Sequence, residues 1–367
     1  HTRDSSHSAS VEWTPDSKSL VASIGTRGEM QVGLIDAKKG GLTLLTKGWH
    51  VIGAGNLSAD GRWLACTFGD AVSLDEVALY DLGEKPEWPS RLTDLNRAFH
   101  DDVELSTPDE VWLDSTDGTK VHAWAMKPVG YLTPKRYSAV LEIHGGPHTQ
   151  YGWAFFHEFQ VLAAQGYAVV FSNPRGSKGY GEAHCAAIRG DWGVKDWEDI
   201  QTVTRWMQHQ SYIHPGRMGV MGGSYGGYMT NWVIGHTKDF KASITDRCVS
   251  NMVAMAGSSD FPFNKNGYFG GVAWGSHEQI APLWKQSPIA YFEGVTTPTL
   301  IIHSEGDLRC NIEQSEQVFT ALQQEGIESR FVRYPSTTSH GMSRSGPPDL
   351  RLHRLGEITA WWAKHLG

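Results

Sequence analysis

Between Ala139 and Tyr334 the chain returns repeatedly to a short, nearly unbroken apolar run. These runs are AVLEIH (Ala139 to His144), AVVFS (Ala168 to Ser172), MGVMG (Met218 to Gly222), ASIT (Ala242 to Thr245), TLIIH (Thr299 to His303) and SRFVRY (Ser329 to Tyr334). Between them lie stretches such as FFHEFQVLAAQ (Phe155 to Gln165) and EQSEQVFTALQQ (Glu313 to Gln324), with apolar residues at helical spacing. A strand apolar on both faces must be covered on both faces, and strands separated by helices pair in parallel. The sequence therefore predicts an α/β domain, a mostly parallel sheet clad in helices, with ligands bound at the carboxyl ends of its strands. Ahead of it, VWLDSTDGTKVHAWAMKP (Val111 to Pro128) reads as a hairpin.

One strand-to-helix junction stands apart. GVMGGSYGGYMTNW (Gly219 to Trp232) sets a single serine among glycines, directly after the MGVMG run and before TNWVIGH, which starts a helix. Glycine weakens helix and strand alike, so its accumulation marks a required backbone geometry. Gly222 to Gly226 reads G-x-S-x-G. In a nucleophile elbow the chain reverses so sharply that the serine is strained and the residues two places away must lack side chains. The plainer alternative is a glycine-rich turn with a capping serine, but the strand before and the helix after favour the elbow. No G-x-x-x-x-G-K-[ST] is present to suggest a phosphate loop.

A serine hydroxyl needs a base to take its proton and an acid to orient that base, and after an elbow they follow in the order Asp or Glu, then His. Asp307 lies in SEGDLRC after the TLIIH run, and His340 lies in STTSHG after SRFVRYP, each in a loop at a strand's carboxyl end. Asp246, which also follows a strand, and Glu305 are rival acids. His303 sits inside a strand and reads as a core residue; His353 and His365 fall on the last helix and are expected to face solvent. A tetrahedral intermediate also needs two donors aimed at its oxyanion. The backbone N–H of Tyr225 is one candidate, and LEIHGGPH (Leu141 to His148) offers Gly145 and Gly146 for the other.

At 367 residues two domains are the natural expectation, and the first hundred residues follow a different pattern. VEWTPDSKSLVAS (Val11 to Ser23) and GNLSADGRWLACT (Gly55 to Thr67) share a turn followed by an alternating strand, with Asp16 and Asp60 standing 44 residues apart. That period suits the blades of a β-propeller, with a coincidental pair of hairpins as the alternative. Two blades cannot close a propeller, so further blades are expected upstream of His1 or are missing, and a histidine at position 1 points to a piece of something longer. The expected organisation is a partial β-propeller over residues 1–100 and an α/β-hydrolase catalytic domain over 101–367. A formal net charge of -8 without a long Lys or Arg run argues against a nucleic-acid surface. The sequence shows no apolar stretch of membrane-spanning length and no signal peptide. Cys66, Cys185, Cys248 and Cys310 are scattered without C-x-x-C spacing, which suggests neither a zinc knuckle nor a disulfide framework and fits a reducing compartment, the cytoplasm.

In combination, HGGPHTQYG, NPRGSKGYGEAH (Asn173 to His184), RGDWGVKDWEDI (Arg189 to Ile200), GGSYGGYMTNW, SEGDLRC and SHGMSRSG (Ser339 to Gly346) resemble the prolyl oligopeptidase family of serine peptidases, and within it the acylaminoacyl-peptidase-like branch. The resemblance runs from about Asp94 onward. It implies a catalytic triad of Ser224, Asp307 and His340 and an oxyanion hole formed by the main-chain N–H groups of Gly146 and Tyr225. It also implies that Arg309 grips a substrate carbonyl beside the scissile bond, against the alternative of a surface arginine paired with Glu305. Arg247, in DRCVSNM, is a further candidate to line the pocket. The family joins a β-propeller to its hydrolase domain, but its members are roughly twice this long. The expected activity is hydrolysis of short peptides through an acyl-enzyme, without metal or cofactor, by an acylaminoacyl peptidase or oligopeptidase. A carboxypeptidase of the same family, a small-ester esterase and a noncatalytic propeller scaffold are the alternatives; a homo-oligomer is compatible with each.

Overall fold

The computed structural model describes residues 11–261 and 267–367, so the first ten residues of the expected N-terminal segment lie outside it. The chain divides into two compact units. One takes in residues up to Asp109 together with Thr149–Val161 and Ser177–Cys185; the other comprises Glu110–His148, Leu162–Gly176 and Ala186–Gly367.

In the first unit, β1 (Glu12–Trp13), β2 (Ser19–Thr26), β3 (Glu29–Asp36), β4 (Leu42–Leu44), β5 (Val51–Leu57), β6 (Trp63–Asp70), β7 (Ser73–Asp81) and β8 (Ser90–Arg91) form an eight-stranded sheet ordered β1-β2-β3-β5-β6-β7-β8, with β4 attached to β3. Its hairpins are antiparallel, and one parallel bridge, Met30 to Val51, joins β3 to β5. Val21, Val32, Ile52, Leu64, Ala78 and Tyr80 are buried together in its core. The two sequence repeats build the same turn. Thr14 Oγ1 donates to Asp16 Oδ1 (2.7 Å), which also accepts the Lys18 N–H (3.1 Å). Ser58 Oγ donates to Asp60 Oδ1 (2.5 Å), which also accepts the Arg62 N–H (3.0 Å).

The second sheet contains β9 (Pro108–Asp114), β10 (Lys120–Met126), β11 (Tyr137–Ile143), β12 (Ala168–Asn173), β13 (Ile213–Gly223), β14 (Ala242–Asp246), β15 (Thr299–Ser304) and β16 (Ser329–Tyr334), in the order β16-β15-β14-β13-β11-β12-β10-β9. Every residue of the central β11 is buried, with Leu141 opposite Val170 on one side and Val220 on the other, both in parallel register. β10 runs antiparallel to β12, so the sheet is mixed. All six apolar runs are strands, and their order along the chain is that of a doubly wound sheet with a crossover at β11.

The helices are α1 (Arg97–Asp102), α2 (His157–Ala164), α3 (Glu182–Ala186), α4 (Lys195–His209), α5 (Tyr225–His236), α6 (Met252–Ser258), α7 (His277–Lys285), α8 (Glu313–Gln324), α9 (Met342–Ser345) and α10 (Pro348–Leu366). Two elements differ from their sequence reading. β13 begins five residues before the MGVMG run, where Pro215 and Gly216 mask the strand. α5 begins at Tyr225, not at Thr230, because Gly226 and Gly227 belong to its first turn. The charged α4 carries an inward stripe of Ile200, Val203 and Met207 that its polar composition hides. Among the described residues no helix is long and apolar enough to cross a membrane.

Candidate active site

Ser224 sits between β13 and α5 with φ 63° and ψ -121°, a conformation that a residue with a Cβ enters only at a cost of about 1–3 kcal/mol. Its side chain makes no capping bond to the helix, so the capping-serine alternative is absent. The turn is held from outside itself: the Ser224 N–H donates to the Asp246 carbonyl oxygen at 3.0 Å. Close approach explains the flanking glycines. A Cβ on Gly222 would lie 2.5 Å from the Ile143 carbonyl oxygen, and one on Gly226 would collide with the same atom. The elbow thus presses directly on the end of β11, which leaves the serine side chain displayed at the carboxyl edge of the sheet.

His340 and Asp307 meet it there. His340 Nε2 is 3.0 Å from Ser224 Oγ, and His340 Nδ1 is 2.7 Å from Asp307 Oδ2. Asp307 Oδ1 accepts the N–H groups of Arg309 (2.9 Å) and Cys310 (3.0 Å), which folds the loop after β15 around the carboxylate. Asp307 is 2% exposed. Burial alone would push its carboxyl up, but hydrogen bonds from His303 and His340 outweigh burial and hold it well below the usual carboxylate range. The loop carrying Asp307 and the loop carrying His340 touch at Gly306, where a Cβ would fall 2.5 Å from the Thr338 carbonyl oxygen. An imidazole between a serine hydroxyl and an anchored carboxylate can take the hydroxyl proton on one nitrogen while the other nitrogen keeps its own proton and donates it to the carboxylate.

The oxyanion candidates lie on either side of the serine. Tyr225 is the first residue of α5, where a backbone N–H has no acceptor within the helix. Gly145 is close enough that a Cβ there would be 3.5 Å from Ser224 Cβ, and Gly146 follows it with φ 119°, a conformation open to glycine alone. The Tyr225 side chain turns inward, and its hydroxyl donates to Asp196 Oδ2 at 2.6 Å.

The rival groups are otherwise engaged. Asp246 accepts from Arg247 Nη1 (2.5 Å) and Arg354 Nη2 (2.8 Å); burial would raise its carboxyl, and the two guanidinium groups bring it below the ordinary value. Glu305 is exposed and pairs with Arg333 at 3.2 Å. Arg309 does not pair with Glu305: its Nε bonds Asp260 Oδ1 at 2.6 Å and its guanidinium lies over the Phe261 ring, 5.4 Å from the centroid. Arg247 stands beside the elbow, with its charge on Asp246. His303 is buried, and His353 is exposed. His365 departs from expectation: its side chain is only 9% exposed, because it packs against Trp361 with ring centroids 4.2 Å apart. Among the described residues no group of three or more His, Cys, Asp or Glu side chains could hold a metal ion.

Three partners escaped the sequence reading: Asp260 for Arg309, Arg354 for Asp246 and Asp196 for Tyr225. Each pairing joins residues far apart in the chain, 108 positions for Arg354 and Asp246, where no spacing rule applies. Asp196 alone carried a signal, since it lies within RGDWGVKDWEDI.

The profile of the prolyl oligopeptidase family matches residues 153–367. Over 312 residues, 81% of this chain, the sequence is 43% identical to the uncharacterized peptidase YuxL of Bacillus subtilis, of which it covers 47%. Over 360 residues, 96% of the chain, it is 29% identical to dipeptidyl-peptidase 5 of Porphyromonas gingivalis, of which it covers 52%. The structure is similar to that of Pyrococcus horikoshii acylaminoacyl peptidase, with a TM-score of 0.85 and 27% identity, covering 98% of this chain and 56% of that one. The chain spans about half the length of the curated relatives it matches.

Proposed function

Because the chain belongs to the prolyl oligopeptidase family of serine peptidases, we propose that it hydrolyses short peptides through an acyl-enzyme on Ser224. The observation that carries this reading is the continuous line from Ser224 Oγ through the His340 ring to Asp307 Oδ2, with bonds of 3.0 and 2.7 Å. His340 Nε2 takes the serine proton as Oγ attacks the scissile carbonyl, and returns it to the leaving amine. Asp307 keeps the ring oriented. The main-chain N–H groups of Gly146 and Tyr225 receive the oxyanion. Water then releases the acyl group by the same proton path in reverse.

A fluorophosphonate probe tests the reading directly. Wild type should be labelled at Ser224, and Ser224→Ala should abolish labelling and turnover with the fold intact. Equal turnover by the Ser224→Ala variant would exclude the elbow serine as nucleophile.

Within the family, the proposed activity is that of an acylaminoacyl peptidase or oligopeptidase. The pairing of Arg309 with Asp260 and of Arg247 with Asp246 supports it over a carboxypeptidase, since a substrate carboxylate would have to displace an acid from either arginine. The likeness to dipeptidyl-peptidase 5 favours a second reading, release of N-terminal dipeptides. One peptide prepared with a free or an acylated N-terminus, each as free acid and as amide, separates the readings. Cleavage of the acylated amide supports the first, a strict need for a free amine the second, and a strict need for a free carboxylate neither. The first sheet belongs to the same proposal as about two β-propeller blades over residues 1–100, ahead of a catalytic domain over 101–367. Its repeated turn supports this, and the cytoplasm is the proposed location.

A further inference from the structure

His303 has the attributes of a core residue, at the end of β15 and 1% exposed. Yet an imidazole is a poor choice for filling apolar space, since both ring nitrogens need partners when buried. Its partners here are specific. Nε2 is 2.7 Å from the Cys310 carbonyl oxygen, which can only accept, so the ring carries a proton on Nε2. The same nitrogen lies 3.3 Å from Asp307 Oδ2. On the other side, Nδ1 is 2.6 Å from Ser315 Oγ of α8, a residue that is itself buried.

These bonds close a ring. His303 donates to the carbonyl of Cys310; the N–H of Cys310 donates to Asp307 Oδ1 at 3.0 Å; and Asp307 Oδ2 returns to within 3.3 Å of His303. The loop from Ser304 to Cys310 is therefore pinned at its middle, Asp307, and at its far end, Cys310, by one side chain, and α8 fixes the orientation of that side chain through Ser315. The carboxylate oxygen facing His303 is the one bonded to His340 Nδ1.

We propose that His303 is a positioning residue that holds the Asp307 carboxylate in register with His340. The inference rests on reading Ser224, His340 and Asp307 as the catalytic triad. It makes the machinery one residue deeper than three: the acid has its own orienting group, anchored in the sheet and in a helix. A leucine at 303 would fill the space but leave the Cys310 carbonyl without the ring's donor and Asp307 Oδ2 held by His340 Nδ1 alone. A glutamine places an amide N–H close to where the imidazole Nε2–H stands.

The test compares His303→Leu and His303→Gln in the full chain, with hydrolysis of an acylated amino-acid p-nitroanilide and active-site titration by a fluorophosphonate as readouts. His303→Leu should lower kcat about 30-fold or more while KM stays within about two-fold, because the loss falls on the proton-transfer step and not on substrate binding. His303→Gln should recover most of that loss. A folded His303→Leu variant with wild-type kcat, or a His303→Gln variant as impaired as His303→Leu, overturns the proposal. Should His303→Leu fail to fold, Ser315→Ala decides: it removes only the hydroxyl that orients the ring, and should lower kcat several-fold at constant KM, whereas unchanged kcat overturns the proposal. A wild-type chain that the fluorophosphonate leaves unlabelled overturns the triad reading, and this inference with it. A labelled wild type beside an unimpaired, folded His303→Leu variant overturns this inference alone.

Discussion

Replacing Asp196 by Asn should make the chain less sensitive to pH, and more stable than wild type at alkaline pH. Asp196 lies in the first turn of α4, fully buried beside the nucleophile elbow. Its Oδ1 accepts the N–H groups of Gly193 (2.9 Å) and Trp197 (3.0 Å), and its Oδ2 accepts the Tyr225 hydroxyl (2.6 Å). The surroundings are otherwise aromatic: the Trp192 ring packs edge-on against both Tyr225 and Tyr228. Burial dominates, and it pushes the carboxyl from 3.8 up to about 7 despite the three hydrogen bonds. A rise of roughly three pH units corresponds to about 4 kcal/mol, taken as a ceiling because the site can relax around the charge. The sign follows from proton counting. Between about pH 4 and 7 the folded chain keeps a proton on Asp196 that the unfolded chain has lost, so stability falls as pH rises through that window and is level on either side. Asparagine reproduces the protonated form: its oxygen can accept from Gly193 and Trp197, and its amide can donate to the Tyr225 oxygen. Thermal melts of both proteins at pH 4.5 and pH 8 read the difference. Relative to wild type, Asp196→Asn should gain about 2–4 kcal/mol between the two pH values, a relative rise in Tm of roughly 4–16 °C for a domain of this size. A difference that is independent of pH, or that shifts towards wild type as pH rises, would refute the claim that burial dominates this carboxyl.

Three further changes probe the site. Gly306→Ala drives a Cβ into the carbonyl oxygens of Ser336 and Thr338 and should separate Asp307 from His340; turnover should fall by about two orders of magnitude or more, as for a catalytic unit that acts only when assembled, and Tm should fall with it because both obstructing atoms are backbone. Arg354→Met removes one of the two guanidinium partners of the buried Asp246 carboxylate and leaves Arg247; it should cost about 1.5–3 kcal/mol in thermal or urea unfolding, the usual range for a lost hydrogen bond to a charged group. Asp260→Asn frees the Arg309 guanidinium without removing it; in paired assays of one peptide as free acid and as amide, the ratio of kcat/KM should move towards the free acid, and an unchanged ratio would show that Arg309 does not face the substrate terminus.

What could be read from the sequence was whatever is encoded over a few residues. Five of the six strands announced themselves because a strand covered on both faces must be apolar throughout, whereas β16, at the sheet edge, keeps Arg330 and Arg333 exposed. Ser224 was legible because the collision of Gly222 and Gly226 with Ile143 leaves only one amino acid at those positions. His340 and Asp307 could be placed because each follows a recognisable strand. The start of β13 was hidden by a proline and a glycine that a strand end can carry. The partners of Arg309 and Asp246 were hidden for another reason: a charge selects its neighbour by three-dimensional proximity, and Glu305, two residues from Asp307, turned to Arg333 instead. His303 was read for its burial, correctly, but a strand pattern says nothing of what a buried imidazole must bond.

The turns at Thr14 to Ser19 and Ser58 to Trp63 also agree in their remaining bonds: the first residue's N–H donates to the last residue's carbonyl at 2.9 and 2.8 Å, and the last residue's N–H returns to the first hydroxyl at 3.0 and 2.9 Å. Every one of these donors and acceptors lies within the six residues concerned. TPDSKS and SADGRW are therefore cassettes whose reversal of direction is closed by their own bonds, while Lys18 and Arg62 also accept from Ala37 and Leu82 through their carbonyl oxygens. Exchanging one for the other should leave both hairpins in register. A chain built this way can be lengthened by copying, since each new copy brings its own reversal of direction.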